Sequence, residues 1–196
     1  MDFEQLAHVI LPNLKDKLES SQGLSVFVRE RKRFEGWIKV ELCEILSKRF
    51  GDVVPEDKDI DVTFDDWAVE LKPVTTNYVY AGVKTKTKNI TNNIDDIVSD
   101  IEKLRASTTT NKAVLFVAFP LDHTKPEWKP HLKRISQHLR ELKHENVRFQ
   151  GNIPGTIYLG LVQSILRQDM TRQSRRSTNR TIGQTKTLQD GCSSVL

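Results

Sequence analysis

The chain has 196 residues, 37% of them hydrophobic, enough for one sizeable core and short of two ordinary domains. Its formal charge of +4 is concentrated at one end: six basic and two acidic residues stand from Arg167 onward, leaving 24 of each sign in residues 1–166, so net charge alone does not argue for nucleic acid. Two cysteines, Cys43 and Cys192, exclude a disulfide framework or a zinc-type cluster. The longest apolar run, residues 113–119, is far below the roughly 18 residues of a membrane span, and a cytoplasmic protein without membrane contact is expected.

Residues 3–18 carry Phe3, Leu6, Val9, Ile10, Leu14 and Leu18 at helical spacing, with Pro12 expected to kink or divide the helix. After a break at residues 20–23, a second helix is expected over residues 26–50, stopped by Gly51. A short segment, residues 51–54, leads into two strands at residues 60–64 and 67–71. Residues 75–91 read as a loop in which Lys84, Lys86 and Lys88 alternate with threonines. Ile94, Ile97, Ile101 and Leu104 mark the next helix, with Asp95, Asp96 and Asp100 in or near its first turns, where the dipole favours anions. Residues 112–119 form a strand buried on both faces. A helix is expected over residues 127–143, with Leu132, Ile135, Leu139 and Leu142 inward, and a last strand over residues 156–162. Residues 1–166 are read as one domain and residues 167–196 as a basic, disordered tail.

The two strands at residues 60–71 alternate strictly. A tight turn at Asp65 and Asp66 pairs residues whose numbers sum to 131, placing Asp61 opposite Glu70 and Asp59 opposite Lys72. One face is then apolar: Ile60, Val62, Phe64, Trp67, Val69 and Leu71. The other carries Asp59, Asp61, Thr63, Ala68, Glu70 and Lys72. Opposed carboxylates repel; Lys72 can supply part of the compensating charge and a divalent cation the rest. A hard cation takes oxygen ligands from one or two carboxylates and fills its other positions with water and phosphate; a solvated face with surface ion pairs is the alternative. In the preceding helix Glu41 falls inside the arc of Phe34, Ile38, Leu42, Ile45 and Leu46, as does Glu35. A carboxylate there needs a polar partner.

A helix bearing Glu41, a short segment, a strand bearing Asp61, a strand bearing Glu70-Leu71-Lys72, a crossover helix and a buried strand together resemble the PD-(D/E)xK nuclease superfamily over residues 34–119. Glu70-x-Lys72 matches its half motif, Asp61 its metal-binding aspartate, and Glu41 the glutamate that many members carry on the first helix. Ile60 stands where the family pattern has proline, and Pro73 directly follows Lys72.

The resemblance implies an α/β fold: a restriction-endonuclease-like α-β-β-β-α-β core with a mixed central sheet flanked by helices. It implies an enzyme, a Mg²⁺-dependent nuclease (Mn²⁺ a possible substitute) that hydrolyses phosphodiesters, with DNA as the expected substrate. Glu41, Asp61, Glu70 and Lys72 would be catalytic; Asp61, Glu70 and the Leu71 carbonyl would hold the metal. Lys84, Lys86, Lys88, Arg31 and Arg33 are candidates for gripping the nucleic-acid backbone, and a homodimer would suit duplex cleavage. The alternative is a catalytically inactive nucleic-acid-binding or assembly module on the same fold. No P-loop, dinucleotide fingerprint or histidine cluster is present in the sequence.

Overall fold

Alternating residues 60–71 and the apolar run at residues 113–119 become the centre of one sheet. In the computed structural model, which describes residues 1–85 and 89–163, the strands are β1 (Val54–Asp57), β2 (Ile60–Phe64), β3 (Trp67–Thr75), β4 (Asn111–Phe119), β5 (Leu139–Phe149) and β6 (Ile153–Val162). They lie in the order β1-β2-β3-β4-β6-β5. Only β3 and β4 are parallel neighbours; the other pairs are antiparallel. A parallel pair needs a long crossover, and α4 (Ile90–Ala106) provides it.

Helices cover both faces of this mixed α/β sheet. Pleating sends alternate β4 side chains to opposite sides. Ala113, Leu115, Val117 and Phe119 join a core with α1 (Phe3–Ser20), α2 (Gln22–Arg29) and α3 (Glu35–Ser47), whereas Val114, Phe116 and Ala118 join one with α4 and α5 (Lys129–Ser136). Each fully buried Leu or Phe contributes roughly 1.5–3 kcal/mol of transfer free energy. No helix among the described residues is long and apolar enough to cross a membrane.

The structure departs from the sequence reading in five places. The first helix runs through Pro12, which sits on its exposed side; burial of Leu6, Ile10, Leu14 and Leu18 on the other side outweighs the lost hydrogen bond. The expected helix over residues 26–50 is two, α2 and α3, because Arg31 at φ 52 turns the chain between them. The first strand lies at Val54–Asp57, not at residues 51–54. The strand expected over residues 67–71 runs on through Pro73, its register with β4 continuing to Thr75 opposite Phe119. The helix expected over residues 127–143 stops at Ser136, and Leu139 and Leu142 belong to β5, whose pairing with β6 runs from Leu139 opposite Val162 to Phe149 opposite Ile153. The missed signal was Gly151-Asn152, both at positive φ in the turn between these strands. The basic segment 167–196 lies outside the described residues.

Candidate active site

The β2–β3 ladder joins Phe64 to Trp67, Thr63 to Ala68 and Val62 to Val69, the register expected from the sequence. Beyond Val69 the Leu71 N–H meets a side chain instead: it donates to Asp61 Oδ2 at 2.9 Å. Within a strand, a residue's N–H and C=O face the same edge, so the Leu71 carbonyl also faces the Asp61 side, away from β4. Where the two strands part, Asp61 and Glu70 are neighbours.

Three ammonium groups stand at this cluster, one from β3 and two from helices on opposite sides. Lys39 of α3 lies 2.9 Å from Asp61 Oδ1 and 2.9 Å from Glu56. Lys103 of α4 lies 2.7 Å from Glu70 Oε1. Lys72 of β3 lies 3.0 Å from Asp100 Oδ2 of α4 and 3.7 Å from Glu35 of α3. Glu70 is only 3% exposed. Its Oε1 and Asp100 Oδ2 are buried in these ion pairs yet lack a partner with hydrogen-bond geometry, an arrangement that costs stability unless something else uses it.

The electrostatics split the two hairpin carboxylates. Burial, opposed by Lys103 and aided by Asp61, pushes Glu70 up to about 8. Against the upward push of burial, Lys39 and the Leu71 amide hold Asp61 below the ordinary aspartate range. The pair therefore keeps one proton near neutrality, on Glu70, beside an ionised Asp61. Burial also raises Asp100. Lys72 is desolvated, but Asp100 and then Glu35 raise its pKa, so it stays an ammonium.

Several expected site residues lie elsewhere. Glu41 forms an ion pair with Lys17 of α1. At about 100° per residue it lies roughly 200° around α3 from Lys39, which faces Asp61, and the helix cannot turn both inward. Glu35, roughly 40° from Lys39, is the α3 carboxylate that approaches Lys72. Asp59 does not oppose Lys72: it sits exposed in the β1–β2 turn at φ 68. Arg31 is not a phosphate-gripping group. It is 6% exposed and donates to the carbonyls of Lys84, Thr76 and Tyr78, pinning the segment after β3. Arg33 is half-exposed and lies 3.4 Å from Asp96, and Lys84 is exposed and paired with Glu30; Lys86 and Lys88 lie outside the described residues.

Sequence reasoning missed Glu35, Lys39, Asp100 and Lys103 as members of the cluster. Asp100 does not serve the helix dipole: α4 begins at Ile90 and has no acidic residue in its first turn. It lies about 60° from Ile97 around the helix, beside the buried stripe, the same signal that singled out Glu41. Among the described residues no three His, Cys, Asp or Glu side chains are grouped closely enough to hold a metal by themselves. No protein-family model, curated protein or solved structure matches the chain.

Proposed function

We propose that the chain is a divalent-cation-dependent phosphodiester hydrolase, a nuclease acting on DNA, built on a restriction-endonuclease-like core. The chain order α3, β1, β2, β3, α4, β4 supports that core. The observation that carries the reading is the convergence of Asp61, Glu70, Lys72 and Asp100 where β2 leaves β3, with Glu70 Oε1 and Asp100 Oδ2 buried and held only by lysine ion pairs. Such oxygens, with the Leu71 carbonyl, are the hard donor set that Mg²⁺ takes. When bound, the cation supplies Lewis acidity that lowers the pKa of a water and offsets phosphate charge.

Asp61 and Glu70 would hold the cation, Glu70 as its carboxylate. Lys103 remains beside Glu70 to balance the site's charge. Lys72, held by Asp100 and Glu35, directs its N–H groups at the attacking water or the phosphate oxygens. A homodimer, which would pair two such centres, would suit cleavage of both strands where the substrate is duplex.

Purified protein with Mg²⁺ or Mn²⁺ should cleave plasmid or single-stranded DNA and do nothing in EDTA. Lys72→Ala should lower the rate by at least about a thousandfold with an unchanged circular dichroism spectrum. A wild-type protein inert across metals and substrates ends this reading. The second reading, a non-catalytic binding or assembly module, is favoured by one observation: Asp61, Glu70 and Asp100 each already have a lysine partner. Binding without cutting would select it.

A further inference from the structure

Beside the cluster, where α2 meets the first turn of α3, is a pocket of about 390 Å³, within the range of small-ligand sites. Phe27, Phe34 and Trp37 supply aromatic surface, Leu24 adds to the apolar lining, and Arg33 and Glu35 stand at the polar side. Phe27 is 46% exposed, unusual for a phenylalanine that serves only packing. Glu35 belongs to both places: it lines the pocket and lies 3.7 Å from Lys72.

Two further features say what fits there. Gly36 occupies the first turn of α3, yet its φ is ordinary and a β-carbon would meet nothing within 4 Å. Glycine disfavours a helix relative to alanine, and the fold gives no reason for it; a bare wall lets a flat ligand approach the backbone. The cation that lines the pocket is Arg33, half-exposed and 3.4 Å from Asp96. Aromatic faces beside a guanidinium fit a planar base on a phosphodiester chain.

We infer that this pocket receives an unpaired nucleobase of the substrate strand, so that the protein prefers single-stranded or locally unpaired nucleic acid to a continuous duplex. The inference rests on the nuclease reading for the fate of the strand, but its test needs no turnover. Of the three tryptophans, Trp67 and Trp128 are at most 1% exposed, so quenching of fluorescence by an added oligonucleotide reports Trp37.

In EDTA, titrating the full chain with a twelve-residue oligothymidylate should quench saturably, and a blunt duplex of the same length should bind at least several-fold more weakly. Phe27→Ala should weaken single-strand binding by roughly tenfold, the loss of one stacking platform. Gly36→Ala should weaken it several-fold while leaving Tm unchanged or higher, which a merely structural role would not produce. The inference is overturned by equal affinity for duplex and single strand, by no quenching, or by wild-type binding in Phe27→Ala. A fluorescence shift driven by protein concentration alone also overturns it, because a second copy would then fill the pocket. Quenching without cleavage when Mg²⁺ is added would retire the nuclease reading and leave the base pocket standing.

Discussion

The two faces of β3 are built to opposite rules. Toward α1 and α3, Val69 and Leu71 are fully buried among apolar side chains, and every contact there supports folding. Toward α4, Ala68 and Val74 are equally buried, but Glu70 and Lys72 stand between them with Asp61 and Asp100 alongside. Burying such charges costs more than their pairing returns in many proteins, and apolar replacements are often as stable or more so. One face of a single strand therefore provides stability and the other carries a cluster that stability alone does not require.

The largest expected effect is on the apolar face. Leu71→Ala removes a fully buried side chain and should cost about 2–5 kcal/mol, read from urea midpoints, while the Leu71 carbonyl stays in place. A cost under about 1 kcal/mol would mean that the two faces do not differ as described.

The polar face should answer to pH. Glu70 holds its proton to about 8 when folded, against 4.5 ordinarily. Between these values the unfolded chain binds fewer protons than the native one, so stability falls as pH rises, by up to about 1.4 kcal/mol per pH unit. Glu70→Gln should flatten that decline and raise stability at pH 8 in EDTA while abolishing cleavage. An identical pH profile in the variant would show that Glu70 is not desolvated.

The smallest effect concerns Glu41. Its pairing with Lys17 lies outside the cluster, so Glu41→Gln should leave the cleavage rate within about twofold. A loss as large as that of Lys72→Ala would return Glu41 to the site and contradict the orientation of α3.

Much of the fold was legible because it depends on short-range pattern. Alternation gave the β2–β3 register, and the stripe through Ile94, Ile97, Ile101 and Leu104 gave α4. β5 was not legible from its own residues: Leu139-Arg-Glu-Leu-Lys-His is rich in helix formers, and only pairing with β6 makes it a strand. The candidate site divides similarly. Asp61, Glu70 and Lys72 share a hairpin whose geometry fixes them locally, whereas Lys39, Asp100 and Lys103 enter from helices whose rotation is set by packing.

The sequence by itself determined that Val62, Thr63 and Phe64 oppose Val69, Ala68 and Trp67, because a two-residue repeat and a tight turn leave a single register next to the turn; Ile60, expected on the same face, packs on the α4 side instead. Tertiary structure alone decided which charges meet them. The side of α3 that turns inward depends on its apolar contacts with α1 and the sheet, and those contacts bring Glu35 and Lys39 to β2 and β3 and carry Glu41 to Lys17.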